Sequence, residues 1–138
     1  EKELKAAGIK IGDYARDMLR SKDFAISQKP QTLDLVKVTV ADLGFDGIAT
    51  TTQIYKRAQE LGLELVPAEV APHLRLKDLD QKLNEWYFVG MKPIAGSGGV
   101  PRVFVLGRVE DGLWLHGRWT SPDLKWGPTD RFVFGFRK

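Results

Sequence analysis

Cysteine is absent from all 138 residues. Disulfides, thiolate nucleophiles, cysteine-ligated zinc and iron–sulfur clusters are excluded together. Histidine is nearly as scarce: only His73 and His116 are present, with no HExxH-like spacing between them. A zinc site would need carboxylates to converge on them from other elements, so neither a metal nor a cofactor is implied. No apolar run approaches the ~20 residues of a membrane span, and no basic-then-apolar leader opens the chain. A membrane partner is not expected. The chain begins with Glu1 rather than Met, which leaves a removed leader or upstream segment open, and cytoplasm is only the default compartment.

A hydrophobic content of 43% beside 28% charged residues is ordinary for a folded, soluble protein and argues against long disorder. The length suits one domain over 1–138, large enough to bury roughly two-thirds of its unfolded surface. The net charge of +3 is unevenly spread: residues 1–84 carry 13 basic and 13 acidic side chains, residues 85–138 carry 8 and 5. The excess lies in the C-terminal half, where it permits an anionic partner without demanding one.

The periodicity divides the chain into a helical N-terminal appendage at 1–26, a strand–helix unit at 33–76 and an antiparallel sheet at 85–138. Ile11, Tyr14, Ala15, Met18 and Leu19 recur at helical spacing. Ser27 to Thr32 is a polar connection, and Leu35 to Val40 alternates as a half-buried strand. A turn region at 41–47 has room for one helical turn. Thr50 with Gln53 forms a capping box for a helix whose stripe is Ile54, Ala58 and Leu61, closed by Gly62. Pro67 suits the start of another helical turn, which Pro72 should cut short before a Leu74–Leu76 strand. A faint helix-turn-helix flavour at 51–74 lacks a basic recognition helix.

From Glu85 the period becomes two, predicting strands near 85–92, 101–109, 113–119 and 131–137 joined as a meander. The expected fold class is α+β: N-terminal helices and a short strand packed on a four-stranded antiparallel meander sheet. A three-residue loop at Glu110–Gly112 would pair Val109 with Leu113 and gather Val103, Val105, Val109, Leu113, Leu115 and Trp119 with Phe132, Phe134 and Phe136 on a core face. The opposite face would then carry Arg102, Phe104, Leu106, Arg108, Trp114, His116 and Arg118, with Arg131 and Arg137 on the last strand. Arg108 would neighbour Trp114, and Phe104 would neighbour Arg118.

That face admits three readings. Rings and arginines could form a platform for single-stranded nucleic acid, stacking bases and meeting phosphates. The arginines could simply pack over neighbouring rings, or helices could cover the face. The packing readings are favoured. In the long connection Thr120–Asp130, Trp126 is either a ligand-stacking residue or, by preference, a plug on the core. Candidate acids for an enzyme near Trp126 are Glu64 and Glu69, with His116 as a further acid–base group; Asp78 and Asp80 lie in a polar loop. Glu69 is read more economically as a helix-dipole residue. Gly96-Ser97-Gly98-Gly99 is followed by Pro101 and a strand rather than a helix, so it is a hairpin connection and not a phosphate cradle.

The run Leu61-Gly62-Leu63-Glu64-Leu65-Val66-Pro67-Ala68-Glu69-Val70, with Leu74-Arg75-Leu76, Glu85-Trp86, Gly90-Met91-Lys92-Pro93-Ile94, Asp111-Gly112-Leu113-Trp114-Leu115 and Arg131-Phe132-Val133-Phe134, resembles a group of short bacterial proteins from environmental and candidate-phylum genomes. The likeness spans about residues 35–138. In that group a Cys often precedes Pro67, where this chain has Val66, which speaks against an essential thiol there. The resemblance implies no activity and no functional residue.

The expectation is a non-enzymatic binding or interaction module. Its candidate binding residues are Arg102, Phe104, Arg108, Trp114, His116, Arg118 and Trp126. The partner classes left open are a protein, a small ligand and nucleic acid; oligomeric state is not read from the residues. Single-stranded nucleic-acid binding on the arginine and aromatic face is one alternative. A small-molecule or glycan-acting enzyme near Trp126 is the other.

Overall fold

Thr50 and Gln53 cap their helix as their spacing predicts. In a computed structural model describing residues 1–25, 33–96 and 98–136, the Gln53 amide N–H donates to Thr50 Oγ1 (3.2 Å) and the Thr50 N–H to Gln53 Oε1 (2.8 Å). The connection read at 27–32, Ser97 of the glycine loop, and Arg137 lie outside the described residues. The first elements are α1 (Lys2–Ala6), β1 (Lys10–Ile11), α2 (Asp13–Leu19), β2 (Leu35–Thr39), one 3-10 turn at Ala41–Leu43 and β3 (Ala49–Thr50). The capped helix α3 (Thr51–Glu60), β4 (Leu63–Glu64) and α4 (Val70–Lys77) follow. The C-terminal half holds β5 (Trp86–Val89), β6 (Ile94–Ala95), β7 (Pro101–Val109), β8 (Gly112–Trp119), β9 (Lys125–Trp126) and β10 (Arg131–Phe136). No helix among the described residues is long and apolar enough to cross a membrane.

Several local signals stand where the sequence places them and others do not: Ile54 and Ala58 are buried on α3, but Leu61, expected on the same stripe, is the exposed residue that follows the helix. Gly62 takes a positive φ of 84° just past α3, as a helix-terminating glycine should. Ile11 is not helical but lies in β1, while Ala15 and Met18 form the buried side of α2 and Tyr14 is exposed. Pro72 does not cut its helix short. It sits in the first turn of α4, where its missing N–H has no intrahelical partner to lose, so the helix runs on through the segment expected as the Leu74–Leu76 strand.

The sheet is larger than a four-stranded meander and is mixed. Eight strands join, ordered β1-β8-β7-β5-β10-β2, with β4 added on β10 and β6 on β7. The antiparallel run β5-β7-β8 stands as expected, but β10 does not continue it. The outer edge of β8 is occupied by β1, running parallel to it. The chain crosses back through Thr120–Asp130 and lays β10 parallel to β5 and antiparallel to β2. A parallel neighbour requires such a crossover, whereas a meander needs only tight turns. Within the crossover, β9 pairs with β3 as a separate ribbon.

The β7–β8 hairpin also differs in register. Val109 pairs with Gly112, Gly107 with Trp114, Val105 with His116 and Phe104 with Gly117. The loop is Glu110-Asp111, and Gly112, at φ 129°, opens the return strand. A one-residue slip exchanges faces, and the register found keeps a different apolar set together. Phe104, Leu106 and Leu115, with Tyr87, Val89 and Val133, form a first face under α1, α2 and α4. Phe88, Phe132 and Phe134 form a second face under Ile54 and Ala58 of α3 and under Trp126. Of the expected core residues, Val103, Val105, Leu115, Phe132 and Phe134 are buried; Val109 and Leu113 are half-buried; Trp119 and Phe136 are each 47% exposed. The segment read as an N-terminal appendage contributes Leu4, Ile9, Ile11, Ala15 and Met18 to the first core.

Candidate functional site

The second face of the sheet is only partly covered. Trp126 and α3 close its β10–β2 side, and the β5–β7–β8 side carries Trp86, Phe88, Val105, Trp114, His116 and Arg118. An open recess of about 620 Å³ lies there, lined by Trp86, Phe88, Val105, His116, Gly117 and Arg118, and rimmed by Tyr14, Arg102 and Trp119.

Two glycines make room for its rings. A β-carbon on Gly107 would sit 2.1 Å from the Trp86 ring, so the bare backbone is what lets that indole lie against the strand. A β-carbon on Gly12 would sit 2.8 Å from His116 Nδ1, so the turn into α2 presses on the imidazole from the other side. The rings form a row. Trp114 stacks on His116 at 4.8 Å and 11°, and Trp86 leans on His116 at 5.2 Å and 45°. Asp111 accepts from Trp114 Nε1 (3.0 Å) and pairs with Lys10 (3.0 Å), fixing the far end of the row.

Behind the row, Arg75 of α4 is fully buried. Its guanidinium donates to the backbone carbonyls of Gly107 (3.3 Å) and Trp114 (3.2 Å), to Gln81 Oε1 (2.6 Å) and to the carbonyl of Asp78. Gln81 in turn donates to the carbonyls of Leu106 and Glu85. Burial holds the Arg75 pKa below the usual guanidinium range, yet a guanidinium stays protonated in proteins. A cation on the hidden face thus clamps the two strands that carry the platform.

The recess is cationic and free of acid. Its lining includes two arginines and no Asp or Glu. The Arg118 guanidinium lies 5.8 Å from the Phe88 ring and 5.5 Å from the Trp126 ring, and Arg102 lies 3.9 Å from the Tyr14 ring. Arg118 forms no ion pair among the described residues. A guanidinium over a ring still presents its N–H edge to an anion. Burial pushes the His116 pKa below its ordinary value of 6.5, so at neutral pH the ring is an uncharged stacking surface.

Of the residues named from the sequence, Trp114, His116 and Arg118 come together on one face, and Arg102 reaches the rim. Phe104 does not belong with them. It is buried at 0% exposure in the first core, edge-on to Phe24, because the hairpin register turns it inward. Arg108 pairs with Leu113 instead of Trp114, and its guanidinium donates to the carbonyl of Gln81 (2.7 Å), away from the recess. Trp126 is 4% exposed and donates from Nε1 to Thr51 Oγ1 (2.8 Å), a plug between the two sheets. Trp86, Phe88, Tyr14 and Trp119 are not among the binding residues expected from the sequence, which puts Tyr14 on a helix stripe and Trp119 on the core face; the interior glycine of Val105-Leu106-Gly107-Arg108, a mark of close approach in a strand, is the signal that points to Trp86.

The candidate acids do not converge on the recess. Glu64 is exposed on β4 and Glu69 stands at the start of α4. Asp78 accepts from the Tyr87 hydroxyl (2.7 Å) and Asp80 is exposed. Among the described residues no group of three or more His, Asp or Glu is placed to hold a metal. A smaller depression of about 340 Å³ at Asp23, Val66, Pro67, Lys92 and Ile94 has no ring lining it. No known family matches the sequence, and neither a curated protein nor a solved structure shows detectable similarity to it.

Proposed function

We propose that this protein is a non-enzymatic binding module whose ligand is a planar, anionic group seated in the Trp86–His116–Arg118 recess. The carrying observation, among the described residues, is a lining without Asp or Glu: half-buried rings in contact with one another beside an arginine with no ion-pair partner. Stacking on an indole or imidazole selects a flat ligand, and a guanidinium at the same surface selects negative charge. No carboxylate among the described lining residues stands beside His116 to orient it as a base, and this supports reading the recess as a recognition surface.

The test uses the four tryptophan indole N–H signals of nitrogen-15-labelled protein. Naphthalene-2-sulfonate, naphthylmethylammonium and cyclohexanecarboxylate are titrated separately. The sulfonate should shift the Trp86 and Trp119 signals and leave the buried Trp126 signal still, with the response lost in Arg118→Glu. The cation and the non-planar acid should do little. Equal response to all three, or a response that survives Arg118→Glu, would remove the proposal.

A further inference from the structure

Resting on the reading above, we infer that the natural occupant of the recess is a single-stranded nucleic acid, with one base on the Trp86–His116 row, a second on the Tyr14–Trp119 rim and the connecting phosphates on Arg118 and Arg102. Four observations point this way. Trp86 and His116, in ring contact with each other, both line the recess, and aromatic surface of this kind holds bases irrespective of sequence. A second pair of rings, Tyr14 at 59% and Trp119 at 47% exposure, stands at the same recess. A single small planar ligand has no use for two ring stations. Arg102 pairs in register with Trp119 and its guanidinium lies over Tyr14, while Arg118 alternates with His116 along β8 and lies beside Phe88 in the inner lining, so each station has its own cation. The described lining residues include no Asp or Glu, with the Asp17 carboxylate near Arg102 at Gly96, outside that lining, and the C-terminal half of the chain carries the whole of the net positive charge.

The strand must be single, because base faces inside a duplex are already stacked on one another. No general base or metal is involved, and no bond is made or broken. The neutral state of His116 fits a stacking surface that carries no charge of its own.

The experiment is a fluorescence-anisotropy titration with a labelled oligothymidylate of ~8 nucleotides, within the footprint of one such surface, run beside thymidine monophosphate and a duplex of equal length. The oligonucleotide should bind, and its affinity should fall with salt at a log–log slope of about −1.4, as two neutralised phosphates require. Arg118→Glu, at an exposed position that leaves both cores intact, should weaken binding about tenfold or more. Trp119→Ala, also exposed, should weaken the oligonucleotide and leave the mononucleotide unchanged. Equal affinity for mononucleotide and strand would overturn the strand assignment, as would tighter binding of the duplex or a salt-independent affinity. If the oligonucleotide fails to bind while naphthalene-2-sulfonate still shifts Trp86, the nucleic-acid inference falls and the recess reading stands. If neither binds, both fall.

Discussion

At the scale of single residues, the recess depends on atoms that are missing as much as on those present. Gly107 is the sharpest instance. Any β-carbon there would occupy the space of the Trp86 ring at 2.1 Å, and the neighbour that must give way is a half-buried indole already leaning on His116. Gly107→Ala is therefore expected to destabilise the fold by about 1–3 kcal/mol, the range for overpacking, and to displace Trp86 from the ring row. Urea denaturation measures the first effect, and loss of the naphthalene-2-sulfonate response at the Trp86 indole signal measures the second. A stable Gly107→Ala protein with an unmoved Trp86 would show that the indole does not need the bare strand. Gly117 has the same role on the hidden side, where a β-carbon would meet Met18 Sδ at 2.6 Å and the backbone of Ala15 at 3.2 Å. A glycine on β7 thus admits a ring on one face and a glycine on β8 admits a helix on the other. Arg75 makes the complementary contribution, because its donated hydrogen bonds go to the carbonyls of the very residues, Gly107 and Trp114, on which the row is built.

At the scale of elements, the crossover between β8 and β10 decides which part of the second face stays open. Besides the β3–β9 pairing, hydrogen bonds to the start of α3 hold it. The Thr51 amide donates to the Leu124 carbonyl (3.0 Å), the Thr52 amide to the Pro122 carbonyl (3.1 Å), and Trp126 Nε1 to Thr51 Oγ1 (2.8 Å). Thr51→Val keeps the shape of the side chain while leaving a buried indole N–H without an acceptor. The expected loss is about 1–3 kcal/mol, read from urea denaturation, with Thr51→Ser close to the parent. No difference between Val and Ser would mean that the indole hydrogen bond is not what holds the crossover. The same region explains what the sequence did and did not disclose. Local signals, such as the Thr50–Gln53 box, Gly62 and the alternation of 101–109 and 113–119, are encoded within a few residues, and the elements form where those signals stand. Partnership between elements is not local. Nothing within β10 distinguishes a place beside β8 from a place beside β5, since Phe132 and Phe134 would be buried in either. The choice is made by β1 occupying the edge of β8 and by α3 and Trp126 covering the phenylalanine row. Pro72 misled for a related reason: its effect depends on whether it falls in the first turn or later, and that boundary is set by the packing of Ala71 and Arg75.

At the scale of the whole molecule, one sheet carries two cores, and its two faces end differently: the first is sealed by helices from the N-terminal and middle segments, the second is sealed over β10 and β2 only. Trp114, His116 and Arg118 could be read as a ring-and-arginine group because they alternate on one strand, whereas Trp86 and Tyr14 join them only through tertiary placement. This division sets the response of stability to pH. His116 is bounded by Trp86, Trp114 and Gly12, and burial lowers its pKa below 6.5. The unfolded chain therefore binds the proton first, and stability should fall as pH drops from 6.5 toward the lowered folded value. Tyr55, enclosed by Phe132 and Phe134 with its hydroxyl donating to the Met91 carbonyl (3.1 Å), is pushed up to about 12 by burial. Tyr87, buried on the first face and donating to Asp78, is raised as well, first by desolvation and then by that carboxylate. Here the unfolded state loses its protons first, above the ordinary value of 10. Stability should therefore fall at about 1.4 kcal/mol per pH unit for each tyrosine as pH rises from 10 toward the folded value. A stability profile from urea denaturation across pH should show a plateau between roughly 6.5 and 10. His116→Gln should flatten the descent just below 6.5 and leave the alkaline limb alone; Tyr55→Phe should reduce the alkaline limb and leave the acid side alone. The two cores share one sheet, so both limbs should appear in a single cooperative transition. An acid limb that persists unchanged in His116→Gln would mean that the imidazole in the recess is as well solvated as in the unfolded chain, and the ring row would lose its claim to be a desolvated stacking surface.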